Sequence, residues 1–271
     1  MRVEPIAPAT QEPALQYLAR APYVNVFITH AVLHATALPA RSRIAVALEA
    51  GEVRGVAYSG RQLALAAEPS SLPAFAEHAK RHRSERMIIG ERDTIRAFWE
   101  LIAGWHEPPR VVRDRQFVMM IDRRRLRRQG GAASVRHARI GECAAVTQSS
   151  VEMIRQELAY DPSRSTADFA ASVRQMIERK LWWVGIAEDR LCFFCNIGPW
   201  CRETIQLQGI WTPPDLRGRG LATSALAAIC DRLLEVSPTL SLYVNDFNEP
   251  AIALYRRVGF EHVADFQTLL F

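Results

Sequence analysis

The sequence predicts an α/β fold built as two lobes of similar plan. Short apolar runs of period two alternate with segments of helical period along the whole chain. The order of elements in the first half is echoed in the second. A strand at 205–211 runs through Pro213-Pro214 into a glycine-rich turn that opens an amphipathic helix. The 271 residues suit one large or two modest domains, and 49% hydrophobic content is ample for packed cores.

In the first half, helical patterns near 11–34 precede a strand (Ile44–Glu49), a tight turn at Ala50-Gly51 and a strand (Val53–Tyr58). A short strand (Gln62–Ala67), a helix (72–82), a strand (86–89), a helix (Asp93–Ala103) and two strands near 111–121 complete it. In the second half, Ser134–Ile140 reads as a strand. Helical periodicity runs over Glu142–Tyr160 through Ala145, Val151, Ile154 and Leu158, and stops at Asp161-Pro162. Thr166 or Asp168 caps a second helix that reaches about Lys180. Residues 181–198 read as a hairpin with Glu188-Asp189-Arg190 near its turn, and 205–211 as the fourth strand. A helix follows with an apolar stripe at Leu221, Leu226, Ile229 and Leu233. Then come a strand (Leu240–Val244), a helix from about Asn248, and two strands, the last Ala264–Phe271.

The halves meet at DRRRLRRQGGAAS, residues 122–134. Five arginines in six positions, then Gly130-Gly131, read as a linker, which sets domains at 1–122 and 134–271 with 123–133 between them. The plain reading of that linker is a solvated charged segment. The sharper one is a patch for nucleic acid or an acidic acceptor, but no interleaved aromatics or recognisable module support it. No run of 18 or more apolar residues exists, so no membrane span is expected. The start, MRVEPIAPATQEPALQYL, has no apolar signal core, which points to the cytoplasm. Five cysteines, an odd number without framework spacing, point to reduced thiols. Cys192, Cys195 and Cys201 have no second Cys or His pair at ligand spacing, so no metal is expected. His30 and His34, like His78 and His82, lie one helical turn apart, and solvated helix faces account for both pairs. The net charge of +5 is mild and comes almost wholly from arginine.

Chemistry concentrates at Arg217-Gly218-Arg219-Gly220-Leu221-Ala222-Thr223. Successive backbone N–H groups at a helix start, beside two guanidinium groups, form a cradle for a diphosphate. Glycines at 218 and 220 let an anion approach the main chain. A dinucleotide fingerprint would need a third glycine, and a Walker loop would need Gly-Lys-Ser/Thr; the chain has only Lys80 and Lys180. Neither template fits.

The pattern resembles that of the GNAT superfamily of acyl-CoA-dependent N-acyltransferases, whose Arg/Gln-x-x-Gly-x-Gly/Ala signature is met by Arg217, Gly220 and Ala222. A second block, LSLYVNDFNEPAIALYRRVGF at 240–260, stands at the family's usual distance, and its Asn248 and Tyr255 are two helical turns apart on one face. The resemblance covers roughly 134–271 and implies a mixed, mostly antiparallel sheet flanked by helices. It identifies the first half as a degenerate GNAT-like lobe, because AAEPSSLPAF stands where a cradle belongs.

The resemblance implies acetyl-CoA as co-substrate, with no metal, and an amine of a small molecule or protein as acceptor. Backbone groups of Ile210, Trp211 and Thr212 would bind the pantetheine arm, and residues 218–223 the pyrophosphate, with Arg217 and Arg219 adding charge. Tyr255 matches the general acid that protonates the departing thiolate; its plain alternative is a helix tyrosine supporting the core. Asn248 is either a cofactor contact or a helix N-cap, or both. The fourth strand offers Gln206 and Gln208 where many relatives place a carboxylate base, and neither accepts a proton at neutral pH. Glu203, Asp161, His137 and the terminal carboxylate of Phe271 are other base candidates, beside a water chain; the two glutamines alternatively position the acceptor. Trp182, Trp183, Phe193, Phe194 and Trp200 suit either an apolar acceptor pocket or the core. Two other functions stay open: an acyl-CoA-binding pseudoenzyme or sensor, and a nucleic-acid-associated protein. Neither membrane nor nucleic acid is an expected partner; a homodimer is allowed.

Overall fold

In the computed structural model, which describes residues 1–35, 42–81, 86–128, 130–131, 133–158 and 166–271, the two halves run through one order of elements. The first half comprises β1 (Arg2–Pro5), α1 (Pro8–Leu18), α2 (Pro22–His34), β2 (Ile44–Glu49), β3 (Glu52–Ser59), β4 (Leu63–Ala67), α3 (Leu72–Ala79), β5 (Met87–Glu91), α4 (Arg92–Ile102) and β6 (Val111–Asp122). The second comprises β7 (Ser134–His137), α5 (Cys143–Leu158), α6 (Thr166–Glu178), β8 (Trp182–Ala187), β9 (Arg190–Trp200), β10 (Ile205–Trp211), α7 (Leu221–Leu233), β11 (Thr239–Asn245), α8 (Glu249–Val258) and β12 (Glu261–Leu270). The expected end of α5 at Asp161-Pro162, and His82, lie outside the described residues.

All twelve strands join one sheet, in the order β1-β2-β3-β4-β5-β12-β6-β11-β10-β9-β8-β7. Neighbours are antiparallel except β4 with β5 and β10 with β11. The final strands are exchanged between the halves. β12 pairs with β5 of the first half, β6 pairs with β11 of the second, and the two exchanged strands pair with each other. This exchange corrects two expectations. The pair of strands near 111–121 is one twelve-residue strand, and a single bulged strand follows α8. The charges at 113–115 do not interrupt β6, because Asp114 is bound by Arg92 at 2.5 Å and Arg115 binds Asp265 at 2.8 Å. Strand β1, not foreseen, adds an edge against β2.

Helices cover both faces. Leu18, Ile28 and Val32 of α1 and α2 pack with Val46, Val56, Val118 and Phe266, while Phe75, Ile95 and Phe98 of α3 and α4 pack against Leu65, Ile88 and Leu269. In the second half Val146, Val173 and Ile177 meet Trp182, Val184, Phe194 and Trp211; Leu226, Ile229 and Tyr255 meet Leu207, Leu240 and Leu242. Trp182, Trp183, Phe193 and Phe194 are thus core, as the plain reading holds. Tight hairpins close where two consecutive residues take positive φ, at Ala50-Gly51 and at Glu188-Asp189, as type I′ turns require.

Helix α2 of the first half also lies against the second half. His30 Nδ1 stands 3.0 Å from the Trp200 carbonyl, and the two rings meet edge to face at 4.4 Å. His30 is therefore part of an internal contact, while His34 stays exposed at its edge with its ring 5.5 Å from that of Trp200; burial pushes the His30 imidazole below its usual pKa of 6.5.

The parallel pairs differ in a way that decides where a ligand can enter. β10 and β11 pair only at Ile205↔Leu240 and Gln206↔Ser241, after which they separate. Gly209 sits in the register shift of β10 at φ +57, and a Cβ there would stand 2.6 Å from Asn196 Oδ1. The bulge turns β10 away from β11. In the first half β4 and β5 pair at three successive positions, and a Cβ on Gly90 would stand 2.5 Å from the Leu65 carbonyl oxygen. That pair stays closed.

Candidate active site

The wedge between β10 and β11 leads into a cleft of about 540 Å³. One wall is the end of β10 (Ile210, Trp211, Thr212), the floor is the 216–223 turn, and the other wall is α8 from Asn248 to Arg257. Gly218 and Gly220 have φ of +74 and +77, and a Cβ on either would meet nothing within 4 Å. Glycine is needed there for backbone conformation, and the space in front is open to a ligand. The first intrahelical bond of α7 runs from Ser224 N–H to the Gly220 carbonyl at 3.2 Å. The amides of Leu221, Ala222 and Thr223 precede it and form the positive end of the helix dipole. Such an end holds an anion through main-chain donors.

Of the residues expected from sequence, Ile210, Trp211, Thr212, Arg217, Gly218, Gly220, Leu221, Ala222, Thr223, Asn248 and Tyr255 all line this cleft, whereas Arg219 does not. Arg217 is turned along β10: its Nε donates to the Thr212 carbonyl at 3.0 Å and its guanidinium lies over the Trp211 ring. Asn248 caps α8, its Oδ1 accepting from Ala251 N–H at 3.3 Å, and lines the cleft as well. Tyr255 is buried at 6% exposure, with Phe260 edge-on at 5.9 Å.

A second cavity, of about 240 Å³, opens on the far side of the wedge. Its walls come from both halves: Arg113 and Gln116 of β6, Gln208 and Gly209 of β10, Tyr243 and Asn245 of β11, and Met153 of α5. Ile210, Asn248 and Tyr255 line both spaces and mark where they meet. Among the described residues no carboxylate lines the second cavity.

The base candidates fall elsewhere. Glu203 precedes β10 at its end away from Gly209. His137 sits on the edge strand β7 with its ring 4.0 Å from that of Trp183, its pKa lowered by burial. The Phe271 terminus is held by Arg110 in the first half, and Asp161 lies outside the described residues. Trp200 packs on His30 and lines neither space.

The sequence left Gly209 and the β6 contribution unread. A glycine inside an apolar strand was the available signal for the bulge. No local signal announces that Arg113 and Gln116 cross into the other half.

Residues 152–260 match the family model of the acetyltransferase (GNAT) family, and residues 43–146 match a domain of unknown function, DUF4081. No curated protein matches the chain. Among solved structures, a GNAT-family acetyltransferase from Colwellia psychrerythraea shares the fold at TM-score 0.60 and 12% identity, over 100% of both chains. A GCN5-related N-acetyltransferase from Sphaerobacter thermophilus does so at 0.65 and 14%, over 98% of this chain and 93% of that one. A tandem GNAT protein from the clavulanic acid biosynthesis pathway aligns at 0.58 and 16%, over 99% and 98%. Among the described residues no group of side chains suited to a metal occurs, and no helix is long and apolar enough to cross a membrane. The chain thus carries a GNAT-family acetyltransferase domain, matched over residues 152–260, behind a DUF4081 domain matched over residues 43–146.

Proposed function

We propose that the protein is an acetyl-CoA-dependent N-acetyltransferase that moves the acetyl group to an amine by direct attack in a ternary complex. The observation that carries this reading is the meeting of two spaces, one lined by main-chain donors and one by polar side chains, at Ile210, Asn248 and Tyr255. The reading assigns the chemistry to 134–271, joined by the 123–133 linker to a first lobe, 1–122, whose β4 and β5 pair at three successive positions.

Bound acetyl-CoA would supply an activated thioester. Amides of residues 218–223 would hold its diphosphate, and the separated end of β10 at Ile210, Trp211 and Thr212 would take the pantetheine arm as an added strand. The Tyr255 hydroxyl, at the junction, would deliver a proton to the departing sulfur. The lining of the second cavity contains no carboxylate among the described residues, which favours an acceptor that arrives as the free amine or loses its proton to water.

The test is thiol release from acetyl-CoA with a broad panel of amines, run beside Tyr255→Phe. Turnover that the substitution cuts by about a hundredfold supports the reading. Binding of acetyl-CoA without turnover of any amine would replace it with a sensor.

A further inference from the structure

The second cavity has an ordered set of hydrogen-bonding groups whose orientation can be read in sequence along a chain of bonds. Thr268 Oγ1 donates to Gln116 Oε1 at 2.6 Å, and Gln116 Nε2 donates to Asn245 Oδ1 at 3.0 Å. The two bonds join Thr268, Gln116 and Asn245 in one chain that crosses β12, β6 and β11. The Asn245 carbonyl oxygen is used by Gln116, and Asn245 itself lines the cavity. Gln208 is set the opposite way. Its Nε2 donates to Gln206 Oε1 at 2.7 Å, so its own Oε1 is the acceptor on that wall.

Charge completes the pattern. Arg113 and Gln116 line one wall although three residues apart, because β6 carries an extra residue where Arg113 and Gln116 pair with Thr268 and Phe266. Among the described residues, Arg113 is the one charged side chain that lines the cavity. The described lining therefore carries a guanidinium from β6 and side-chain amides from β6, β10 and β11. A volume of about 240 Å³ admits a small molecule rather than a folded segment.

We infer that the acceptor is a small amine carrying a carboxylate, an amino acid or close analogue. Arg113 and Asn245 Nδ2 would bind the carboxylate, and Gln208 Oε1 would orient the amine N–H toward the junction at Tyr255. This rests on the acetyltransferase reading for the reaction, but the ligand preference is a property of the cavity alone. The degenerate first half would then supply the selectivity of the second through its exchanged strand.

The experiment compares amino acids with their methyl esters in two assays. Ligand-observed NMR reads binding without turnover, and thiol release from acetyl-CoA reads transfer. The acids are expected to bind at least tenfold more tightly than the esters and, where transfer occurs, to show the lower KM. Arg113→Gln should raise KM for an acid about tenfold while kcat changes by less than threefold. Asn245→Asp, which keeps the bond from Gln116 but repels a carboxylate, should act in the same direction. Esters that bind or react as well as acids, or an acid-to-ester ratio unmoved by both substitutions, would overturn the inference. Acids that bind selectively without any thiol release would instead overturn the acetyltransferase reading and leave the cavity assignment standing.

Discussion

The guanidinium of Arg217 lies 4.4 Å from the centroid of the Trp211 ring, and its Nε reaches the Thr212 carbonyl at 3.0 Å. The glycine-rich turn is thereby fastened to the separated end of β10. One exposed side chain holds the floor of the cleft to its β10 wall, so Arg217 acts on the shape of the anion site as well as its charge. Arg217→Ala is expected to weaken acetyl-CoA binding about tenfold, or about 1.4 kcal/mol, with little change in Tm. Calorimetric titration checks this. Arg217→Lys should recover little, because an ammonium cannot stack on the indole while donating sideways.

Tyr255→Phe removes a hydroxyl and keeps the ring, so the edge-on contact with Phe260 survives. Under the proposed role kcat falls by about two orders of magnitude, and the acetyl-CoA Kd stays within about threefold. Steady-state kinetics with a parallel binding measurement separate the two. Losses of similar size in both would assign Tyr255 to the core alone.

Gly259 ends α8 at φ +117, and a Cβ there would stand 2.1 Å from the Arg125 carbonyl oxygen. The linker runs over the end of α8 and is held there by ion pairs: Arg125 with Asp122 and Glu261, and Arg123 and Arg128 with Asp231. Backbone against Cβ cannot be relieved by a rotamer change. Gly259→Ala should cost about 2–3 kcal/mol, lowering Tm by roughly 5 °C or more in a thermal melt.

His30 gives stability a pH dependence. Its folded-state pKa lies below the ordinary 6.5, so in acid the unfolded chain binds a proton more readily than the folded one. The contribution is fully present above about pH 6.5 and is lost as pH falls through the lower, folded-state value. Between pH 7 and 5.5 the wild-type Tm should fall more steeply than that of His30→Asn, which cannot titrate. Parallel curves would contradict the assignment.

What the sequence made legible was local. The 217–223 turn could be read because Gly218 and Gly220 answer a demand for positive φ that only nearby residues set. The hairpins at Ala50-Gly51 and Glu188-Asp189 were legible for the same reason. The exchange of β6 and β12 was not, because strand pairing across more than a hundred residues leaves no mark on composition or period. For that reason 111–121 read as two strands, although Arg92 pairs with Asp114 and Asp265 with Arg115 along one continuous strand. Arg113, Gln116 and Asn245 stayed invisible as a set, since only the exchange brings them together. Gln206 and Gln208 were legible as unsuited to act as a base and as groups that position an acceptor, because both stand on the fourth strand.

The proposed function requires the main-chain amides after Gly218 to receive the diphosphate of acetyl-CoA. Thermal denaturation of the wild type and of Gly220→Asp, with and without acetyl-CoA, tests it most directly. At about a hundred times Kd, acetyl-CoA should stabilise the wild type by about 2.7 kcal/mol, a rise of several degrees. The new carboxylate, set against the pyrophosphate, should abolish that rise. A variant that still shows the full rise would place the cofactor elsewhere.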